Sequence, residues 1–217
     1  MKRCPKRIPN NCGILSSFSG RLPELKCLIL ILSKVWDYGK TGNGRFIPYS
    51  DFMVLGKSFR RGSGYISECI YDAVSVNKEW LDVYADVRNG KNGCFVEYTE
   101  CMTNIAENSG TNFYQIYIDD VAKFTSLFGL RMYLIYMRDR NRIAMSDTNS
   151  VTYTADKFSE ITGCNEDNTV YRNIRRCRNE FMEITGIGID VSKHKKNGYW
   201  NIIYNSSYID SDELIGE

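Results

Sequence analysis

One stretch, Val170–Tyr204, leaves the chain little choice of local structure. Val170, Ile174, Cys177, Phe181 and Ile184 recur at three- and four-residue steps, which places them on one side of a helix. Arg172, Arg175, Arg176 and Asn179 fall on the opposite side, with Asn173 in the same block. Ile187, Ile189 and Val191 then alternate as one strand, and Trp200, Ile202 and Tyr204 as a second. Between the strands lies Lys193-His194-Lys195-Lys196-Asn197-Gly198, where Asn-Gly predicts a hairpin turn. A helix followed by a basic β-wing is the winged-helix arrangement, which suits double-stranded DNA. The helix can enter the major groove while the wing lies along the phosphates. The plain alternative is a solvated amphipathic helix beside a surface hairpin. Arginine dominates the exposed face, and the helix's own carboxylates, Glu180 and Glu183, come only near its end, so the DNA reading is preferred. The expected DNA contacts are Arg172, Asn173, Arg175, Arg176 and Asn179 on the helix, with Lys193, His194, Lys195 and Lys196 on the wing.

Composition bounds the other possibilities. The chain has 217 residues, enough for one large domain or two small ones, and a formal net charge of only +2. The charge is uneven: Lys2, Arg3, Lys6 and Arg7 crowd the start, and Asp210, Asp212, Glu213 and Glu217 the end. A local basic surface on a near-neutral protein suffices for phosphate binding. Eight cysteines include no Cys-x-x-Cys pair, and the one histidine, His194, sits on the wing. No metal or other cofactor is therefore expected, and reduced cysteines on apolar faces read as small hydrophobes. The basic start is followed by no apolar run before Pro23, and Cys27–Leu32 is too short to span a bilayer. A reduced cytoplasm with no membrane contact is expected. Catalysis is not: His194 on a lysine-flanked wing is a poor place for an oriented base, and reads as a phosphate or minor-groove contact. Gly62-Ser63-Gly64 lacks the Walker lysine pattern and reads as a helix entry.

Along the chain, residues 1–21 read as a flexible basic arm. Leu22–Asp37 is a helix with Leu25, Leu28, Ile29, Leu32, Val35 and Trp36 on its apolar face. A strand at Phe46–Tyr49, a short helix from Ser50 to Leu55, a helix at Tyr65–Val76, and strands at Trp80–Tyr84 and Phe95–Tyr98 follow, with Asn89–Gly93 as a loop. Next come a strand at Tyr114–Ile118, helices at Asp119–Leu127 and Gly129–Arg140, a strand at Val151–Tyr153, and Ala155–Thr162 capped by Thr154. The two halves share a plan, and Lys91-Asn92-Gly93 recurs as Lys196-Asn197-Gly198. The predicted architecture is α+β, two tandem winged-helix domains. They span residues 22–110, for dimerisation or docking, and 111–205, for DNA recognition, with an acidic tail at 206–217.

The chain beyond the arm resembles the iteron-binding plasmid replication initiators, the Rep proteins built of two winged-helix domains. Leu130-Arg131-Met132-Tyr133-Leu134 is similar to the family's helix opening the second domain. Tyr153–Ile161, Tyr171–Arg178 and Glu183-Ile184 are similar to its recognition-helix region, and the wing follows at the family's spacing. The first domain matches in pattern, with Leu22–Trp36 in the place of the opening helix; Asn89–Ser109 and the many cysteines depart from the family. The resemblance implies an initiator that binds direct repeats at an origin, has no catalytic centre, recruits the host initiator and replicative helicase, and represses its own promoter as a homodimer. Rolling-circle cleavage would need paired metal-binding histidines, which one histidine cannot supply. Two further readings are a winged-helix transcriptional regulator and a non-DNA interaction scaffold. The first domain's helix carries Glu68 and Asp72 but no Lys or Arg, so it is expected to touch DNA less. The apolar Leu22–Trp36 helix is expected to offer a contact surface instead.

Overall fold

A computed structural model of the chain describes residues 6–9, 20–36, 44–75, 78, 81–100, 113–144, 149–194 and 197–205. Lys195, Lys196, Trp80, Cys4, Cys12, Cys101 and the acidic tail lie outside the described residues. The chain forms two compact units, Met1–Lys123 and Phe124–Glu217.

The first unit runs β1 (Lys6–Pro9), α1 (Leu22–Trp36), β2 (Arg45–Pro48), two 3-10 helices (Tyr49–Leu55 and Lys57–Arg61), α2 (Ser63–Ser75), β3 (Leu81–Arg88), β4 (Lys91–Tyr98), β5 (Phe113–Ile116) and α3 (Ile118–Lys123). The second runs α4 (Leu127–Ala144), β6 (Ser150–Tyr153), α5 (Ala155–Thr162), α6 (Asp167–Thr185), β7 (Gly188–Lys193) and β8 (Trp200–Asn205). Each unit has an antiparallel three-stranded sheet with its last strand in the middle, β2-β4-β3 and β6-β8-β7. A helix, a strand, two helices in the second unit or two 3-10 helices and α2 in the first, then a hairpin whose second strand pairs with the first strand: this is the winged-helix plan, present in each unit.

Several expectations for the first unit are corrected. Part of the basic arm is ordered: β1 pairs antiparallel with β5, Lys6 opposite Ile116 and Pro9 opposite Phe113. Each strand satisfies the other's backbone polar groups, and Pro9, which has no donor, stands at the strand's end. This pairing, with the packing of α3 on the first 3-10 helix, gathers residues through Lys123 into the first unit. The sequence reading divides the chain near residue 110 instead. The segment after β2 is 3-10, not α-helical, and starts behind Pro48 without a side-chain cap from Ser50. Among the described side chains of α1, no apolar residue from Leu25 to Leu32 is exposed. Leu25, Cys27, Leu28, Ile29, Leu30, Ile31 and Leu32 are all buried, because α2, β1, β2, α3 and the first 3-10 helix surround it. Lys26 donates from Nζ to the carbonyls of Leu55 (3.4 Å) and Ala122 (2.8 Å), so even its charge is placed inside. The first hairpin turns at Asn89-Gly90, where φ is 52° and 69°, the left-handed pair a two-residue turn requires. Asn92-Gly93 lies within β4, and a Cβ on Gly93 would meet the Ile47 carbonyl oxygen at 2.4 Å. That glycine serves close strand approach rather than a turn.

Cysteine behaves here as a core residue. Cys27, Cys69, Cys94 and Cys177 are buried and free. Burial pushes the Cys94 and Cys177 thiols up to about 12. Cys69 departs the other way, to about 7, because Cys27 and Tyr65 donate to its sulfur.

In the second unit Thr154 caps α5 as expected, its hydroxyl accepting from the Lys157 N–H at 3.3 Å. Arg138 donates to the Tyr153 hydroxyl (2.8 Å) and to Asp139 (3.2 Å), and Tyr153 itself donates to buried Asp139, tying α4 to β6. Tyr133 and Tyr204 are core residues. α4 and α6 cross at close range: a Cβ on Gly129 would lie 2.9 Å from Glu180 Oε2 and 3.3 Å from Cys177 Cβ. Replacing Gly129 by alanine should therefore overpack the crossing and destabilise the unit by ~1–3 kcal/mol, despite alanine's better helix propensity. Urea unfolding of the full chain checks this; an unchanged or raised midpoint contradicts it.

Candidate nucleic-acid interface

Helix α6 contains no glycine or proline and stops where Gly186 takes a left-handed φ of 74°, its N–H bonded to the Met182 carbonyl at 2.8 Å. Val170, Ile174, Cys177, Phe181 and Ile184 are buried, as the periodicity requires. Burial of that stripe, ~1.5–3 kcal/mol for each large side chain, fixes which face remains in solvent. Arg172, Arg175, Arg176, Arg178 and Asn179 are exposed on it. Among the described residues none of the five has a side-chain hydrogen bond or ion-pair partner.

The carboxylates that could neutralise this face are turned elsewhere. Glu180 accepts from the Thr125 N–H (2.5 Å) and hydroxyl (2.6 Å), beside the start of α4. Its charge there complements the N-terminal end of that helix. Asp167 is held by Lys193 Nζ at 2.7 and 2.8 Å. Glu166 accepts from the Thr169 hydroxyl at 3.3 Å. Only Glu183 stays exposed on the arginine side, in the last turn.

Two expected contacts are placed differently from the sequence reading. Asn173 is half-buried at the edge of the helix, and its amide donates to Cys164 Sγ at 3.4 Å, bracing the α5–α6 turn. Lys193 is not a free cation: besides Asp167, its ammonium lies 5.5 Å from the Trp200 ring centroid. Asp167 is distant in sequence, so the pair is visible only after folding. His194 is exposed at the wing, its N–H donating to the Tyr199 carbonyl at 2.7 Å while its own carbonyl accepts from Gly198 at 2.9 Å.

The wing and the helix are joined by an aromatic column. Trp200 of β8 stacks on Phe158 of α5 (4.9 Å between centroids, 15° between planes) and meets Tyr171 of α6 at 5.4 Å. In the turn between the two helices, Gly163 is left-handed (φ 69°), and a Cβ there would strike Arg131 Nη1, which donates to the Thr162 carbonyl at 2.5 Å. Buried Arg131 thus closes the C-terminal end of α5 from beneath.

Sequence reasoning did not name as contacts several exposed groups: Asn168, Tyr171 and Arg178 on α6, and Asn197 and Tyr199 on the wing. It also missed a basic cluster on the first unit, exposed Lys57, Arg60 and Arg61 of the second 3-10 helix, with Arg61 5.6 Å from the Tyr65 ring centroid. The run Lys57-Ser58-Phe59-Arg60-Arg61 carries the signal for it. α2 itself remains acidic: Glu68 is exposed and Asp72 pairs with Arg21 at 2.9 Å. Among the described residues no three His, Cys, Asp or Glu side chains gather as a metal site, and no helix is long and apolar enough to cross a membrane.

No family model matches the chain, and no curated protein sequence matches it. A solved structure does: the Pi initiator protein, crystallised in complex with iteron DNA, at 10% identity and a TM-score of 0.63. The match covers 93% of this chain and 97% of that one. The chain has the fold of the Pi initiator. The correspondence extends over both winged-helix units, as the resemblance in the second domain's motifs implied.

The Lys193–Asp167 pair is partly exposed on both sides. A double-mutant cycle on Lys193→Ala and Asp167→Ala should give a coupling of only ~0.2–1 kcal/mol by urea unfolding, falling at molar salt. A coupling that salt leaves unchanged would contradict a screened surface pair.

Proposed function

We propose that this protein is a sequence-specific DNA-binding replication initiator that recognises direct repeats at an origin. The observation that carries the reading is the arginine face of α6, which has no neutralising partner among the described residues. Like charges on one helix face repel at close spacing, and a phosphate-lined groove relieves that repulsion. The fold shared with an initiator crystallised on iteron DNA supports the same reading. The protein acts by binding, with no catalytic centre and no cofactor. Exposed His194 on the wing has none of the surroundings of an oriented base.

In this reading the second unit provides sequence recognition and the first provides self-association. The apolar residues available for that task are not Leu25–Leu32 of α1, which are buried, but the exposed Met53, Val54, Tyr71, Tyr84 and Val87 of the first unit. Tyr71 and Tyr84 border a groove of about 470 Å³ between α2 and β3. The dimer represses its own promoter and the monomer initiates, recruiting the host initiator and replicative helicase in the cytoplasm, on a plasmid. The cluster Lys57, Arg60 and Arg61 adds a phosphate contact from the first unit.

Two measurements test this. The triple variant Arg172→Ala, Arg175→Ala, Arg176→Ala should lose affinity for duplex direct repeats, each base-reading arginine contributing ~1–3 kcal/mol. Unchanged affinity for every duplex tried refutes the DNA reading. The full chain should sediment as a dimer that repeat DNA dissociates, while a fragment beginning at Phe124 stays monomeric and still binds selectively. A full chain that is monomeric at high micromolar concentration, with and without DNA, removes the dimer switch.

A further inference from the structure

The exposed surface of α6 has an internal order. Asn168, Arg172, Arg175 and Asn179 repeat the spacing of Val170, Ile174, Cys177 and Phe181, displaced to the opposite side of the helix. They form a straight ridge diametrically across from the buried one. Arg176 lies roughly 70° to one side of this ridge and Arg178 roughly 90° to the other, at 100° per residue. All six are exposed and lack side-chain partners among the described residues.

This order matters in a groove about 12 Å wide, which a helix nearly fills. Side chains opposite the core then face the groove floor, where base edges lie, and those on the flanks face the two walls, which are phosphate. The ridge chemistry is suited to the floor: asparagine pairs in bidentate fashion with adenine N6 and N7, arginine with guanine O6 and N7. Arginines on the flanks need only a phosphate oxygen. The ridge spans about 16 Å, or about five base-pair steps. One turn beyond Asn179 stands exposed Glu183, whose charge phosphate repels, so the ridge ends there.

We infer that Asn168, Arg172, Arg175 and Asn179 read a purine series, adenine, guanine, guanine, adenine, on either strand, while Arg176 and Arg178 hold the backbone on the two sides. This rests on the proposed DNA function and goes beyond it by dividing the helix face. It brings in Asn168 as a specificity-determining residue and places Arg176 among the phosphate contacts.

The test is selection of bound duplexes from a randomised pool by the full chain and by single alanine variants of all six positions, with salt titrations on the winning duplex. These side chains are exposed, so the fold should survive; circular dichroism verifies this. Wild type should enrich a short element with G·C pairs flanked by A·T pairs. Asn168→Ala, Arg172→Ala, Arg175→Ala and Asn179→Ala should each relax one base pair, with discrimination there falling about five- to 150-fold. Arg176→Ala and Arg178→Ala should leave the selected sequence unchanged and reduce the slope of log affinity against log salt by about one or less. If wild type enriches a site but Asn168→Ala or Asn179→Ala selects it with equal stringency, the ridge assignment is overturned. It is equally overturned if Arg176→Ala or Arg178→Ala relaxes a base pair. If wild type enriches nothing, the initiator reading itself fails, and the ridge with it.

Discussion

The close crossing of α4 and α6 is the constraint on which the second unit depends. At Gly129 a methyl group would press on Cys177 and Glu180 of α6. The crossing sets both the depth and the roll of α6, because Cys177 belongs to the same stripe as Val170, Ile174 and Phe181. Glu180 reinforces the roll by bonding Thr125 at the start of α4. The same bond keeps a carboxylate out of the arginine face. Packing and electrostatics are therefore linked at this crossing: the helix is seated and Glu180 is turned away from the arginine face together.

The other side of α6 is fixed by the wing. The Phe158–Trp200–Tyr171 column spans α5, β8 and α6, and Lys193 adds a charged link from β7 to the first turn of α6. Helix and wing are thus mutually oriented by contacts at the wing's root, while His194, Asn197 and Tyr199 at its tip remain exposed. Lys193, which the sequence suggests as a phosphate contact, lies against Asp167 in the fold. The first unit solves its packing differently, by enclosing α1 on nearly every side, and it leaves apolar residues exposed on the 3-10 helix, α2 and β3.

Much of this was legible because period and burial coincide. The stripe from Val170 to Ile184 predicted the buried face of α6 without error, and the two Thr154-type signals, a cap and an Asn-Gly turn, placed α5 and the wing. Asn-Gly also misled: Asn89-Gly90 and Asn92-Gly93 stand three residues apart, and only β2, approaching Gly93 at its Ile47 carbonyl, decides which of them turns. The sequence suggests α1 as a contact surface because a run of leucines and isoleucines shows apolarity but not how many neighbours will surround it. Lys193 and Asn173 have intramolecular contacts that the sequence does not show, for a related reason. Their partners, Asp167 and Cys164, become neighbours through a strand and a turn, and side-chain bonding of that kind leaves no periodic trace.

The pairing of β1 with β5 has a consequence for synthesis on the ribosome. Lys6 finds its backbone partner at Ile116, so the first unit cannot close until nearly all of its sequence has been made. At ordinary elongation rates the wait is on the order of ten seconds. During it α1, the most apolar helix of the unit, lacks part of the enclosure it will have when folded. The second unit is built from nearer neighbours and has no such delay. In a growing chain the first unit is then the vulnerable one, open to premature contacts with other nascent copies or to chaperone capture, and its apolar helix is what they would meet.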